Sequence, residues 1–454
     1  MMITTLALLA AAAESKQGVA PGDAFDSGVR LSLDVKPGIL SVTWQTNTSV
    51  TSPTLRYGRT PTVLDTVVAA NSSVLSNWDK ASKSHRSVSV HSAFMHAAFG
   101  VTVFYQVSGG GRVFNLTQRT PHGIPAPTTF ALFGDLGIKE QEGANYTLAR
   151  LLEHHARRDF DMILHVGDIA YDLRENGGRT GDEFTANMEP ISSQVPYMVC
   201  PGNHERDCPH SHGCDPPYTN YRKRFRMPSP ASKVLDAGHQ PMWWSADVGF
   251  AHIVSINTDV YYYPNQLNVL EAQWHWLQAD LHTAAMNRGV VPWIVVIGHE
   301  MLYSTHDASH AAQAKSNREG PVSFHGSLGL EGLFKNYSVD LYFSGHEHVY
   351  EHFARIYDSH VCTHKDVADS HCGLPPPCPC TAHIVVGNAG DREFPYHTKN
   401  GTIMPFAYPQ PPWEHFRATS PAGFGLLHVN ASTMLWRQYN ARTDAVIDEH
   451  VYRR

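Results

Sequence analysis

Five short segments of this chain carry side chains that suit metal ions. They are Gly134-Asp135-Leu136-Gly137, Gly167-Asp168-Ile169-Ala170-Tyr171, Gly202-Asn203-His204-Glu205, Gly298-His299 and Gly345-His346-Glu347-His348. Each alone is a weak signal, because a lone Gly-Asp after a strand is commonly a turn and a lone His is commonly structural. In this order they supply Asp135, Asp168, Tyr171, Asn203, His299, His346 and His348, which is two Asp, one Tyr, one Asn and three His. All are hard to borderline metal ligands. Such a set suits two cations that share a bridging carboxylate. Two cations so held lower the pKa of a bound water and clamp the attacking and leaving oxygens of an in-line displacement. Glycine precedes Asp135, Asp168, Asn203, His299 and His346, which predicts a tight backbone turn at each.

Loops of this kind need rigid elements behind them. Apolar, β-branched runs at residues 130–133, 162–166, 196–200, 293–297, 339–343 and 383–386 predict strands, and the five segments follow the first five. Sites in open α/β sheets form at the carboxyl ends of strands. Residues 271–288 predict a helix with Trp274, Leu277 and Leu281 on one face. Strands alternating with helices are the mark of an α/β fold. Residues 18–121 read differently. Leu40, Val42 and Trp44, and again Val103, Tyr105 and Val107, alternate with polar residues, which predicts a small all-β sandwich with no catalytic cluster. The Pro-rich stretch 120–128 (TPHGIPAPT) reads as the linker.

With 454 residues the chain is long enough for two or three domains. Lys plus Arg total 35 and Asp plus Glu total 42, a net charge of −7, so the basic surplus of a dedicated nucleic-acid binder is missing. No apolar run reaches the roughly 20 residues of a membrane span. Residues 1–13 are short, apolar and end in alanines, which predicts a secretory signal cleaved near Ala13. Sequons at Asn47, Asn71, Asn115, Asn145, Asn336, Asn400 and Asn430 are glycosylation candidates. Disulfides are expected between Cys208 and Cys214 and among Cys362, Cys372, Cys378 and Cys380. A zinc site helped by His364 or His371 is the alternative for the second group. Cys200 is left over as a buried thiol. The expected location is outside the cell or an acidic organelle reached through the secretory pathway.

The order GDxG, GDxxY, GNHE, GH and GHxH resembles the purple acid phosphatases within the metallophosphoesterase superfamily, as do residues 221–228 (YRKRFRMP), 293–299 (WIVVIGH) and 385–390 (VVGNAG). The resemblance covers nearly the whole chain. It implies a fibronectin-III-like domain at 18–121. It also implies a calcineurin-like α/β catalytic domain at 126–454, a metallophosphoesterase β-sandwich flanked by helices, whose last part, 381–454, is the family's C-terminal segment. It implies Fe(III) on Asp135, Tyr171 and His348, a divalent ion (Fe(II), Zn(II) or Mn(II)) on Asn203, His299 and His346, and Asp168 bridging them. Generic relatives open with Asp-x-His, but Gly137 stands where that His would be. Tyr171 fills the gap with a hard phenolate that suits Fe(III).

The implied activity is hydrolysis of small phosphate monoesters in acid, with metal-bound hydroxide as nucleophile. His204 is expected as general acid or transition-state stabiliser, contacting substrate together with Asn203. There are departures from the family's pattern. Glu300 and Met301 follow His299 where Arg-Pro is frequent, and Tyr350 and Glu351 precede His352 where Tyr-Glu-Arg is frequent. His306 and His310 are the nearest candidates for further substrate contacts. The alternative substrates are phosphodiesters or nucleotides. An alternative of another class is an inactive secreted binding protein, which a missing ligand would favour; all seven are present.

Overall fold

The structure, a computed structural model, describes residues 26–47, 50–109, 111–138, 142–206, 217–228, 242–262, 267–307, 310–321, 327–362, 380–390, 406, 409–419 and 421–454. The expected signal segment, Cys208, Cys214, Cys372, Cys378, His364, His371 and Asn400 lie outside these residues.

The N-terminal part is built from β1 (Asp26–Leu33), β2 (Ile39–Thr46), β3 (Thr54–Gly58), β4 (Thr66–Ala69), β5 (Asn71–Asp79), β6 (Ser84–His96), β7 (Thr102–Val107) and β8 (Phe114–Thr117). They form two four-stranded sheets, β1-β2-β6-β5 and β4-β3-β7-β8. Leu40, Val42 and Trp44 are buried with Leu55, Val103, Tyr105 and Val107 in one core. The alternation seen in the sequence therefore packs sheet against sheet.

Two larger sheets follow. The first contains β9 (Thr128–Phe133), β10 (Met162–His165) and β11 (Tyr197–Val199), all parallel. The second begins with β12 (Trp244–Val248), β13 (Ala251–Ser255), β14 (Trp293–Ile297) and β15 (Leu341–Ser344), then β16 (Tyr350–Tyr357), β17 (His360–Val361), β18 (Thr381–Val386) and β19 (Glu414–Ala418). In it β13, β14, β15 and β18 run parallel. The chain then returns to the first sheet as β20 (Gly423–Val429), β21 (Thr433–Asn440) and β22 (Val446–Arg453), giving the order β11-β10-β9-β20-β21-β22. Side chains sort by parity. Phe130 and Leu132 of β9 meet Trp293, Val295 and Ile297 of β14 between the sheets, while Ala131 and Phe133 face one helical layer and Ile294 and Val296 face the other. Each such aliphatic or aromatic side chain, fully buried, contributes about 1.5–3 kcal/mol.

The helices are α1 (Glu142–Arg157), α2 (Arg179–Ser192), α3 (Thr219–Arg224), α4 (Leu267–Met286), α5 (Ala311–Glu319) and α6 (Leu330–Asn336). Helix α4 buries Leu270, Leu277 and Leu281 at helical spacing, and the half-buried Trp274 beside them donates its indole N–H to Gly329 O at 3.2 Å. The two parts of the molecule meet at α2. There Asp182 pairs with Arg224 at 2.8 Å and with Arg86 at 2.7 Å, and Tyr105 donates to Ser193 O at 2.6 Å.

Residues 120–123, in the stretch expected to be the linker, dock on a sheet edge: His122 bridges to Val248 and Gly123 N donates to Asp247 O at 2.8 Å. Pro-rich composition limits backbone freedom but does not prevent docking on a sheet edge. Cys362 and Cys380 form a disulfide, which excludes that pair from a zinc site, and Cys200 is buried and unbridged.

Candidate metal centre

The loops after β9, β10, β11, β14 and β15 converge at the carboxyl ends of their strands. Asp135, Asp168, Tyr171 and His346 hold left-handed backbone conformations, with φ of 60°, 48°, 44° and 68°. Such geometry costs about 1 kcal/mol or more for a non-glycine residue and persists where packing over-determines it. Four of the five glycines before the ligand candidates act by close approach rather than by a positive φ. A Cβ on Gly202 would lie 2.2 Å from Asp168 Oδ1, and one on Gly345 would lie 2.3 Å from Asp135 Oδ2. Gly167 does both, with φ of 87° and 2.6 Å to His299 Nδ1.

The side chains gather in two groups. In the first, Tyr171 OH lies 2.9 Å from Asp135 Oδ1 and 2.8 Å from His348 Nε2, with His348 Nε2 3.3 Å from Asp135 Oδ1. In the second, Asn203 Oδ1 lies 3.0 Å from both His299 Nε2 and His346 Nδ1, and His299 Nε2 is 3.2 Å from Asp168 Oδ2. Ligand atoms of Asp168, His299 and His346 all fall within 4.8 Å of one another. The other oxygens of the two carboxylates are tied to backbone: Asp135 Oδ2 accepts from His346 N and Asp168 Oδ1 from His204 N, each at 3.0 Å.

This donor set fits cations. His299 Nδ1 donates to Val166 O at 2.9 Å, so its Nε2 turns a lone pair toward Asp168 Oδ2 and Asn203 Oδ1, which are also acceptors. Acceptors facing one another in a buried site need a positive charge between them.

His204 sits at the mouth, partly exposed, with its ring 4.5 Å from that of Tyr171 and Nε2 3.9 Å from Asp168 Oδ2. Its Nδ1 hydrogen-bonds Asp172 Oδ1 at 2.9 Å. Burial works against its charge, but Asp168 and Asp172 outweigh burial and lift it to about 9. His306 and His310 are drawn to one anchor. Their Nδ1 atoms lie 2.6 and 2.8 Å from the two oxygens of buried Glu347, and the His310 ring lies 4.6 Å from that of His346, tilted against it.

Sequence reasoning missed four carboxylates here. Glu205 is buried and accepts from the backbone N of Gly202, Asp168 and Ile169, each at 2.9 Å, which latches two ligand loops together. Burial, and then Asp168, raise it to about 8. Asp172 orients His204, Glu347 anchors two histidines, and Glu300 lies behind His346. Glu205 and Glu347 were visible inside their motifs, but nothing in one sequence says which way they point. Of the sequons, Asn71, Asn115, Asn145 and Asn336 are exposed, while Asn47 and Asn430 are half-buried.

Residues 128–350 match the calcineurin-like phosphoesterase family, and residues 380–449 match the iron/zinc purple acid phosphatase-like protein C family. The chain is 33% identical over 349 residues to mouse (Mus musculus) "Acid phosphatase type 7", covering 76% of this chain and 71% of that protein. It is 30% identical over 436 residues to the human (Homo sapiens) protein of the same name, covering 93% and 90%. The solved structure of a purple acid phosphatase from yellow lupin (Lupinus luteus) seeds superposes with a TM-score of 0.71 at 21% identity, covering 94% of this chain and 74% of that one, a likeness of fold.

Proposed function

We infer the activity from one premise: this chain belongs to the purple acid phosphatase family of the calcineurin-like phosphoesterases. It is a binuclear metallophosphoesterase that acts as an acid phosphatase on phosphate monoesters. The observation that carries this reading is the pair of side-chain clusters at the strand ends, with separations of 2.8–3.3 Å and a donor set that fits two cations.

Asp135, Tyr171 and His348 would hold iron(III), Asn203, His299 and His346 a divalent ion, and Asp168 would bridge. Two anionic donors suit the trivalent ion, and neutral Asn and His suit the divalent one. Bound there, the two cations supply an acidified water and the positive charge that a transferring phosphoryl group requires. The residues do the rest. Asp172 holds Nδ1 of His204, which leaves Nε2 to give a proton to the leaving oxygen or to hold a phosphoryl oxygen. Glu347 fixes His306 and His310 beside the divalent position, where they serve as further substrate contacts.

The proposed division of the chain, a fibronectin-III-like unit at 18–121 and a catalytic unit at 126–454, is supported by the separate sheets and by the match that begins at residue 128. Passage through the secretory pathway is supported by the Cys362–Cys380 disulfide and the four exposed sequons. Among the described residues no helix is long and apolar enough to cross a membrane.

The test is the visible spectrum of the purified protein. A charge-transfer band that disappears in Tyr171→Phe is the expected result. A colourless protein with full metal occupancy defeats the assignment of iron(III) to Tyr171.

A further inference from the structure

We propose that Glu300 positions His346, and through it sets how tightly the divalent position holds its ion. This deepens the assignment of that position and rests on it.

The two histidines of the divalent group are mounted in opposite senses. His299 points Nε2 at Asn203 and donates its Nδ1–H to Val166 O at 2.9 Å. His346 points Nδ1 at Asn203 Oδ1, at 3.0 Å, and turns its Nε2 into the protein. That Nε2 is buried and makes no hydrogen bond to the described residues. An imidazole that gives one lone pair to a cation carries its proton on the other nitrogen, and that proton needs an acceptor.

The atom placed opposite is Glu300 Oε2, 3.4 Å away. It too is buried and without a hydrogen bond among the described residues. Two orphaned polar atoms thus face each other behind the site. The main chain of Glu300 is fixed on both sides. Its backbone N donates to Thr258 Oγ1 at 2.8 Å, and its carbonyl accepts from Tyr342 OH at 2.6 Å. It also follows His299 directly in the chain, so one turn delivers the first ligand of the divalent group and the acceptor that orients the second. The role is geometric, since a carboxyl oxygen accepts this hydrogen bond whether or not the group is ionised.

The experiment is competition for Zn(II) between a chromogenic chelator and the full-length protein, as wild type, Glu300→Gln and Glu300→Leu. Glu300→Leu is expected to lose affinity roughly tenfold to a hundredfold at one site, as outer partners of metal-bound histidines do. Glu300→Gln keeps an acceptor oxygen in place and is expected to stay within about threefold. The hydrogen-bonded imidazole N–H resonance of His346 is expected in the wild type and the Gln variant and not in the Leu variant. Iron content and melting temperature control for folding, and Glu300→Ala replaces Glu300→Leu if the latter does not fold. Equal Zn(II) affinity in the Leu variant, or a Gln variant as weak as the Leu one, overturns the proposal. A wild type that takes up no divalent ion at all overturns instead the assignment on which it rests.

Discussion

Charge is buried in two regions of this molecule, and they treat it in opposite ways. Where the N-terminal sandwich meets helix α2, buried acidic side chains have guanidinium groups against them. Asp182 has Arg224 and Arg86, and Asp79 has Arg179 at 2.8 Å. At the strand ends, Asp135 and Asp168 are equally buried, yet among the described residues neither is ion-paired with Lys or Arg. Their neighbours are imidazoles, a carboxamide, a phenol and backbone amides. A buried anion without a counter-charge is strongly disfavoured. The interface therefore carries its own compensation, whereas the rim is built to receive it from outside. One region serves cohesion and the other serves cations.

Substitutions that separate the two regions sharpen this contrast. The largest effect is expected at the rim. His204→Ala should lower kcat/KM in mild acid by about 10³-fold, about 4 kcal/mol of barrier, and leave the melting temperature nearly unchanged. Near-wild-type kcat/KM would remove His204 from catalysis. At the interface the pattern should invert. Arg224→Met leaves Asp182 with one cation fewer and exposes Gln45 Oε1 and Gly178 O to unmade hydrogen bonds. Denaturant unfolding should show a loss of about 3 kcal/mol, with kcat of the folded protein unchanged. A stable variant with reduced kcat would mean that the interface shapes the site.

The remaining prediction concerns a third buried charge. His252 on β13 lies between Asp247 at 2.7 Å and Asp280 at 2.9 Å. Burial works against its charge, but the two carboxylates outweigh burial and lift it to about 9. A group raised in the folded state stabilises fully below its unfolded pKa of about 6.5, and that stability is lost as pH rises through the folded value. The contribution is of order 3 kcal/mol and should fade between about pH 6.5 and 9. Unfolding midpoints at both ends of this window should differ more in the wild type than in His252→Gln. Equal differences would show that His252 carries none of the pH dependence.

The contrast also marks how far a single sequence could be read. Strands β9, β10, β11, β14 and β15 were legible because a buried parallel strand is a short unbroken apolar run. Their loops were legible because ligand side chains followed each one. Strands β12 and β13 and the returning β20, β21 and β22 were not identified; β20 joins the first sheet only by pairing with β9 some 300 residues earlier, as with Leu427 opposite Phe130. His306 and His310 were noticed but could not be aimed, because the buried carboxylate that turns both of them lies some 40 residues further on, between His346 and His348.

The sequence alone determined the donor types, their order along the chain and the need for strands behind them. Ligand chemistry and strand patterning are local properties that a chain displays residue by residue. The tertiary structure decided which nitrogen each histidine presents, which carboxylate latches which loop, that the Pro-rich segment docks rather than swings, and that Cys362 pairs with Cys380. Each of these depends on atoms distant in the chain meeting within hydrogen-bonding or bonding distance, and on the loss of water that makes every buried polar atom require a partner.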